Sequence, residues 1–466
     1  MTHVVIIGGG PGGYEAALVA RQLGGEVTLV EYDRVGGSAV VTDCVPSKTL
    51  IATAEVMTEV GESEQLGIRF GDEGGVRVDL GAVNQRVLEL AAQQSGDIMT
   101  KLVDDGIRVV HGTGRLDGPH QVVVTAGDGT EERLAADVVL LATGAHPRIL
   151  PDAQPDGERI LTWTQLYDLA ELPERLIVVG SGVTGAEFAS AYHALGSDVV
   201  LVSSRDRVLP GEDADAAQVL EDVLTRRGMT VMGRSRAESV RREGDRVVVR
   251  LTDGREVVGS HCLLAVGSIP NTSDLGLDTA GVAVDDGGFI RVDKVSRTTA
   301  NGVYAAGDCT GVLMLASVAA MQGRIAMWHS LGDAVAPLNL KTVASNVFTA
   351  PEIATVGATQ NEVDNSTVRA VAVTLPLRTN PRAKMQGIDD GFVKVFCLPL
   401  TGIIIGGVVV APRASELVHA LSVAVHGRIT VDDFAQAFTV YPSLSGSLAE
   451  AARQLHLHAV EHVRTA

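Results

Sequence analysis

The residues best suited to chemistry lie in the stretch 36–48, which contains one cysteine, Cys44, and one lysine, Lys48. A cysteine thiolate can carry electrons or attack a substrate, but a single thiol cannot close an internal disulfide. By itself the stretch predicts only a Gly-rich turn followed by the start of a helix. What Cys44 and Lys48 can do therefore depends on the elements that position them.

A complete dinucleotide-binding unit precedes this stretch. Residues 4–7 are continuously apolar, as in a parallel strand buried on both faces, and residues 14–23 predict a helix. The glycines between them, which let a backbone approach a pyrophosphate at the helix N-terminus, match G-x-G-x-x-G. Glu31 ends the next strand, where it can accept a hydrogen bond from a ribose hydroxyl. The stretch 36–48 therefore arrives at the place where this unit would present the reactive ring of a bound cofactor. The glycines of the pattern are Gly8, Gly10 and Gly13.

The same arrangement occurs a second time, with an apolar strand at 177–179, a Gly-rich turn and a helix from Ala186. The partner strand 198–202 ends in two serines and an arginine, where the first unit has a glutamate. A carboxylate favours a free ribose 2′-hydroxyl, whereas hydroxyls with a guanidinium favour a 2′-phosphate. We predict a second nucleotide site that prefers NADPH to NADH, the alternative being an exposed loop with an incidental arginine. The residues are Gly180, Gly182, Gly185, Ser203, Ser204 and Arg205.

Further strands and a separate C-terminal segment complete the chain. The region after residue 337 has β-rich runs and helices but no nucleotide fingerprint, which predicts an interface domain. Helical periodicity from 50 to 102 is interrupted by a Gly-rich segment at 61–75. The other predicted elements are short strands at 107–124 around Gly114, strands and turns at 138–144, 263–270 and 302–308, β runs at 368–375, 392–398 and 403–410, and helices at 415–425, 431–438 and 445–464.

Composition excludes several classes of protein. A chain of 466 residues predicts two to four domains. Its 38 Lys and Arg against 57 Asp and Glu give a net charge of −19, which argues against a nucleic-acid partner. No apolar run is long enough for a membrane span, and no secretory signal is evident, so we expect a cytoplasmic protein. Four scattered cysteines predict neither a disulfide framework nor a structural zinc site.

Taken together, these motifs resemble the flavoprotein disulfide reductase family, which includes dihydrolipoamide dehydrogenase. The resemblance covers essentially the whole chain and implies FAD on the first unit, NADP(H) or NAD(H) on the second, and a homodimer formed by the C-terminal domain. It implies an α/β fold with two Rossmann-like FAD/NAD(P)-binding domains and an α+β C-terminal dimerisation domain. The motifs are 8–13 with Glu31, 36–48, 142–148, 180–185, 265–271, 306–308 and 348–357.

The resemblance also implies domain limits and cofactor-binding residues. The limits are 1–150 for the first part of the FAD-binding domain, 151–270 for the NAD(P)-binding domain, 271–336 for the second, central part of the FAD-binding domain, and 337–466 for the dimerisation domain. FAD contacts are expected from Gly8, Gly10, Gly13, Glu31, Gly37, Lys48, Gly114, Thr143, Gly144 and Asp308, the last on the ribityl chain. NAD(P) contacts are expected from Gly180, Gly182, Val183, Gly185, Ser203, Ser204, Arg205 and Gly267.

Three catalytic residues are expected: Lys48, Glu187 and Tyr441. The resemblance places Lys48 near the isoalloxazine ring and pairs it with Glu187. A cation there stabilises the anionic reduced flavin, and a buried lysine needs a carboxylate partner. Tyr441 can donate a hydrogen bond in an acceptor site, or it packs at the dimer interface. Val183 stands where a bulky aromatic residue can cover the nicotinamide pocket in relatives, so we expect a more open pocket here.

The departures from the family decide the predicted function. Members that reduce disulfides have two cysteines separated by four residues, and here the first position is Ala39 and only Cys44 remains. The His and Glu that serve the thiols as acid and base in those members are replaced by Tyr441 and Gly446. Dithiol chemistry is therefore excluded, and Cys44 is expected to be an inert packing residue, the alternative being a reactive thiol.

We predict an FAD-dependent enzyme that passes hydride equivalents from NAD(P)H through the flavin directly to quinones or similar small acceptors. The nearest alternative is a soluble pyridine nucleotide transhydrogenase, since such relatives also lack a complete cysteine pair and also have Tyr before the proline of the C-terminal motif. A non-catalytic flavin-binding dimer is a lesser alternative, because both nucleotide fingerprints are intact. His458 and His462 match H-x-x-E-H, but the pattern lies at the C-terminal end without a further ligand, so no metal is predicted.

Overall fold

The computed structural model describes residues 1–69 and 76–464, with side chains to residue 456. The strands are β1 His3–Ile7, β2 Glu26–Glu31, β3 Arg108–His111, β4 Thr113–Leu116, β5 Gln121–Thr125, β6 Glu131–Ala135, β7 Val138–Leu141, β8 Ala145–Pro147, β9 Ile160–Thr162, β10 Arg175–Val179, β11 Asp198–Val202, β12 Thr230–Met232, β13 Ala237–Glu243, β14 Arg246–Leu251, β15 Glu256–Gly259, β16 His261–Leu264, β17 Ser268–Pro270, β18 Val303–Ala305, β19 Ala344–Val347, β20 Glu352–Gly357, β21 Val371–Pro376, β22 Phe392–Cys397 and β23 Ile404–Ala411.

The α-helices lie between these strands or follow the last of them. They are α1 Pro11–Gln22, α2 Gly37–Val41, α3 Cys44–Glu62, α4 Leu80–Asp104, α5 Val183–Leu195, α6 Ala214–Arg226, α7 Leu277–Ala280, α8 Ala316–Ser330, α9 Gln360–Asp364, α10 Pro381–Met385, α11 Ala414–Gly427, α12 Val431–Gln436 and α13 Gly446–Arg464. Within the described ranges, no helix has both the length and the apolar character that crossing a membrane requires.

Two parallel sheets of five strands form the nucleotide-binding half. The first has the order β18-β7-β1-β2-β3 and the second the order β12-β11-β10-β16-β9. Strand β18 pairs with β7, so the chain returns to the first sheet after the second sheet is complete. The central strands β1 and β10 are buried on both faces, which explains their continuous apolar runs.

The last third of the chain forms an antiparallel sheet with the order β19-β20-β23-β22-β21, and helices pack on it. Its core joins residues of β22 and β23 to apolar side chains of α11 and α13. Smaller antiparallel sheets, β4-β5-β6 and β13-β14-β15, flank the two parallel sheets. The predicted fold class, two Rossmann-like units followed by an α+β domain, is confirmed.

Candidate active site

The strands β1, β2 and β7 end at a cavity of about 710 Å³. Open parallel sheets bind ligands at the carboxyl ends of their strands, so this is the expected position for a dinucleotide. Residues of α2 and of the first turn of α3 form another part of the wall. Of the predicted FAD-binding residues, the cavity is lined by Gly8, Gly10, Glu31, Gly37, Gly114, Thr143, Gly144 and Asp308, whereas Gly13 and Lys48 lie outside the lining.

The glycines after β1 shape a cradle that fits a pyrophosphate. A Cβ on Gly8, whose φ is +102°, would lie 2.3 Å from the carbonyl oxygen of Ala142, and a Cβ on Gly13 would lie 1.8 Å from that of Gly8. These two glycines therefore allow the strand and α1 to pack closely. The nearest atom to a Cβ on Gly10 is 3.9 Å away, so Gly10 leaves space at the N-terminus of α1. That space, at the positive end of the helix dipole, suits a phosphate.

Glu31 is held in one orientation at the edge of this cavity. Its Oε2 accepts a hydrogen bond from the Gly9 N–H at 2.6 Å, and its Oε1 accepts one from the Asp33 N–H at 2.9 Å. The side chain is buried. A buried carboxylate fixed by two backbone donors retains acceptor capacity for a ribose hydroxyl, as the FAD prediction requires.

The second Gly-rich turn repeats the first in its packing. A Cβ on Gly180 would lie 2.1 Å from the carbonyl oxygen of Ala265, and a Cβ on Gly185 would lie 1.9 Å from that of Gly180. A Cβ on Gly182 would have nothing within 4 Å. Val183 begins α5 and is 44% exposed; the open nicotinamide pocket expected there stays a prediction. The turn between β16 and β17 contains Gly267 at a φ of +96°.

The open space at Gly182 leads to a prediction that affects NADPH binding but not FAD binding or stability. The variant Gly182→Ala puts a methyl group where the NADPH pyrophosphate is expected, so we expect KM for NADPH to rise about tenfold or more. FAD content and thermal unfolding should match those of the wild type, because the methyl group meets no protein atom within 4 Å. Gly61→Ala, at a helical glycine of α3 that is equally uncrowded, is the control. An unchanged KM for Gly182→Ala would contradict the assigned position of the pyrophosphate.

The loop after β11 corrects one part of the nucleotide prediction. Ser203 is fully buried, and its Oγ lies 2.6 Å from Ser181 Oγ and accepts a hydrogen bond from the Arg205 N–H at 3.1 Å. This hydroxyl therefore fixes the loop and does not face a nucleotide. Ser204 and Arg205 are exposed and stay candidates for contact with a 2′-phosphate.

Lys48 and Glu187 meet as predicted, although 139 residues separate them in the sequence. Lys48 Nζ donates to Glu187 Oε2 at 2.8 Å, and the other carboxylate oxygen accepts from the Phe348 N–H at 2.9 Å. The ammonium also lies 5.0 Å from the centre of the Phe348 ring. Burial lowers the pKa of Lys48, but the charge and hydrogen bond of Glu187 raise it more, so the lysine stays charged. The pair joins α3 to α5 and to the C-terminal domain.

Cys44 lines the cavity at the start of α3, but its thiol is not activated. Burial, followed by the charge of Asp43, raises the pKa of Cys44 to about 11, against a smaller opposite effect of Lys48. A thiol with this pKa is protonated at neutral pH and is a poor nucleophile. All four cysteines, which lie in the described part of the chain, are free.

We expect Cys44→Ser to keep NADPH-dependent activity within about twofold of the wild type, since a half-buried, protonated thiol acts mainly through packing. Alkylation of Cys44 by iodoacetamide should be slow at pH 8 and accelerate only as the pH approaches the thiol pKa of about 11. The measurement is peptide mass spectrometry over a pH series. Rapid modification of Cys44 at pH 7, together with loss of activity in Cys44→Ser, would contradict this assignment.

The sequence interpretation missed Asp43, which also lines the cavity. Burial raises the pKa of this carboxyl against an opposing effect of Lys48, and the charge of Glu187 adds a smaller upward effect. Across the cavity, burial and the charge of Asp43 raise the pKa of Asp308 to about 6. The signal available in the sequence was an acidic residue immediately before the only cysteine of the stretch 36–48.

Tyr441 is not brought to the cavity of its own chain. It is 83% exposed, and the neighbouring Phe438 and Val440 are also exposed, in the segment between α12 and α13. A catalytic role for Tyr441 therefore requires a site in a second subunit. The side chains of His458 and His462 lie outside the described residues, and the described residues hold no cluster of three or more potential metal ligands.

Comparison with known proteins supports one family over nearly the whole length. A family model described as pyridine nucleotide-disulphide oxidoreductase matches residues 2–323, and the model of its dimerisation domain matches residues 343–452. The chain is 55% identical to a Mycobacterium tuberculosis protein named NAD(P)H dehydrogenase (quinone), over 98% of this chain and 94% of that protein. It is 33% identical to a dihydrolipoyl dehydrogenase of Chlamydia pneumoniae, over 96% of this chain and 95% of that protein.

Solved structures give the same result. A crystal structure of LpdA from Mycobacterium tuberculosis matches with a TM-score of 0.94 at 55% identity, covering 98% of this chain and all of that chain. The flavoprotein disulfide reductase RclA from Escherichia coli matches with a TM-score of 0.86 at 25% identity, covering 97% of this chain and 99% of that chain. Both the fold and the order of its parts are therefore shared over nearly the whole chain.

Proposed function

The chain belongs to the pyridine nucleotide-disulphide oxidoreductase family, and we propose that it passes electrons from NADPH through FAD directly to quinones. As a member, it is an NAD(P)H-dependent flavoprotein oxidoreductase. The acceptor, the preference for NADPH and the absence of a disulfide relay are the parts that we propose. The name of the Mycobacterium tuberculosis relative supports a quinone, or a similar small molecule, as the acceptor.

The observation that carries the proposal is the missing relay. Ala39 lines the cavity at the position where disulfide-reducing members have their first cysteine. Cys44 alone cannot form the internal disulfide, and its pKa of about 11 keeps it protonated. Tyr441 and Gly446 stand in place of the His–Glu pair that would serve a dithiol. The electrons therefore pass from the flavin to the acceptor without a protein redox group as an intermediate carrier.

The remaining residues suit direct transfer. FAD, when bound, takes a hydride from the nicotinamide and delivers two electrons to an acceptor. The space left at Gly10 and Gly182 admits the two pyrophosphates. Lys48 supplies a fixed positive charge near the ring, since Glu187 holds its ammonium in place. A planar quinone can approach the ring without a relay, and the exposed Val183 leaves the nicotinamide side uncovered.

The apolar segment between α12 and α13 supports assembly of the chain as a homodimer. Phe438, Val440 and Tyr441 are all largely exposed in one chain, in a region that matches the dimerisation domain of the family. Exposed apolar patches of this kind mark interaction sites. Tyr441 then reaches an acceptor site across the subunit boundary, or it packs at the interface. A cytoplasmic location stays a prediction.

The test is a comparison of acceptors with the purified, FAD-loaded protein. NADPH oxidation should be fast with a small benzoquinone, and NADPH should serve better than NADH. Transfer from NADPH to thio-NAD should be slower than quinone reduction. A transhydrogenation rate equal to or above the quinone rate would favour the pyridine nucleotide transhydrogenase, and failure of either nucleotide to bleach the flavin would favour a non-catalytic role.

A further inference from the structure

The carboxyl group of Asp43 has no structural role that accounts for its position. Asp43 occupies the N-cap of α3, where an aspartate normally accepts a hydrogen bond from the first turn. Its side chain makes no such bond, because the third residue of α3 is Pro46, which has no N–H to donate; the bond from the Ser47 N–H to the Asp43 backbone carbonyl, at 2.7 Å, is the ordinary first bond of the helix. Asp43 lines the cavity beside Cys44 and belongs to the stretch 36–48, which is expected to face the flavin. An acid without a capping role, placed in a reaction cavity, is a candidate for proton chemistry.

A second group beside it is also uncommitted. The Tyr167 hydroxyl is buried and has no hydrogen-bond partner among the described residues. Burial, followed by the charge of Asp43, raises the pKa of Tyr167. The Tyr167 hydroxyl is thus a donor without a partner among the described residues.

The surroundings of Asp43 raise the pKa of its carboxyl above the usual value. Burial is the largest cause, the positive charge of Lys48 opposes it, and the negative charge of Glu187 adds a smaller upward effect. The carboxyl is nevertheless only partly shielded from solvent, so water in the cavity can return a proton to it. The titratable groups that face it are Cys44 and Lys48 on α3, Tyr167 before β10, Glu187 on α5 and Asp308 after β18.

We propose that Asp43 is a catalytic residue that donates a proton to the quinone oxygen, an inference that rests on the proposed function. Reduction of a quinone to a hydroquinone takes two electrons and two protons. NADPH supplies a hydride, which is two electrons and one proton, through the cofactor. The second proton leaves the Asp43 carboxyl as its O–H bond breaks and the O–H bond of the hydroquinone forms. Water then reprotonates the carboxylate.

The test compares an acceptor that needs protons with one that does not. In the FAD-loaded protein, Asp43→Asn keeps the size of the side chain but has no carboxyl proton. We expect benzoquinone turnover to fall about 100-fold, a usual effect of losing a general acid. Ferricyanide takes single electrons without protons, so its reduction and the bleaching of the flavin by NADPH should stay within about twofold of the wild type. Asp43→Glu should recover part of the quinone activity, and Asp97→Asn, an exposed acid of α4, is the control.

An infrared difference spectrum gives a readout that is independent of turnover. The spectrum of the wild type minus that of Asp43→Asn should show the band of a protonated carboxyl group, and this band should disappear as the pH rises. The same result is expected for the protein with FAD and without it. Equal losses with benzoquinone and ferricyanide, or no missing band, would overturn the inference. If Asp43→Asn reduces quinone as fast as the wild type, the inference is overturned but the proposed function is not. Absence of quinone turnover by the wild type would overturn the proposed function, and this inference with it.

Discussion

Lys48→Met should slow the reduction of the flavin by NADPH by about 10³-fold, the upper range for the loss of one preorganised electrostatic group. The reduced ring carries negative charge, and Lys48 is the cation that Glu187 holds in place at 2.8 Å. The substitution also leaves Glu187, whose side chain is 4% exposed, without its ion-pair partner. Breaking a buried pair in this way costs about 3–5 kcal/mol of stability, so the variant should also unfold at a lower temperature.

The double variant Lys48→Met/Glu187→Gln separates the two effects. It removes both charges and leaves an amide that can still accept from the Phe348 N–H, so thermal stability should largely return. The rate of flavin reduction should stay low, because the positive charge is still absent. Stopped-flow absorbance measures the rate, and thermal unfolding of the loaded protein measures stability. Flavin reduction by Lys48→Met within threefold of the wild-type rate would contradict the assigned role.

Lys394→Met should destabilise the folded protein by about 3–5 kcal/mol, because it leaves the buried carboxylate of Asp213 without its ion-pair partner, whereas the second partner, Asp215, is 69% exposed. Lys394 Nζ lies 2.8 Å from Asp213 Oδ2 and 2.7 Å from Asp215 Oδ2, and the side chains of Lys394 and Asp213 are 2% and 3% exposed. Asp213 also caps α6, accepting from the backbone N–H groups of Asp215 and Ala216. The cluster therefore ties the NAD(P)-binding unit, through α6, to β22 of the C-terminal sheet.

Lys101→Met is the matched control for this prediction. Lys101 forms an ion pair of the same length, 2.8 Å, with Asp105, but its side chain is 61% exposed. Exposed pairs of this spacing on a helix contribute only about 0.3–0.5 kcal/mol. Thermal and denaturant unfolding should therefore show a much larger loss of stability for Lys394→Met than for Lys101→Met. Similar losses of stability in the two variants would show that burial does not decide the strength of the Lys394 cluster.

The parts of the fold that follow from local pattern could be predicted closely. The structure places β7 at Val138–Leu141, within the apolar run that predicted it, and β22 begins at the predicted Phe392. Helix α1 begins at Pro11, three residues before the predicted start, because the proline and the two glycines after it occupy the first turn of the helix. Residues 70–75 of the Gly-rich segment lie outside the described part of the chain.

The parts that depend on distant contacts could not be predicted from the residues alone. The strand containing Lys394 was evident, but its aspartate partners are 181 and 179 residues away in the sequence. The pairing of Lys48 with Glu187 came from the family resemblance and not from spacing. The burial of Ser203 against Ser181 depends on how two loops meet, so the sequence suggested a phosphate contact that the structure excludes. The absence of a capping hydrogen bond to the Asp43 carboxyl likewise depends on the direction of the side chain, which the sequence does not give.

Direct transfer from flavin to acceptor is tested most directly by reoxidation of the reduced enzyme. The FAD-loaded protein is reduced with one equivalent of NADPH without oxygen and then mixed with benzoquinone or with oxidised lipoamide, while the flavin absorbance is followed. Quinone should restore the oxidised spectrum within one turnover time, and lipoamide should leave the flavin reduced. Reoxidation by lipoamide would contradict the account, because it would mean that Cys44 works with a base elsewhere in the protein.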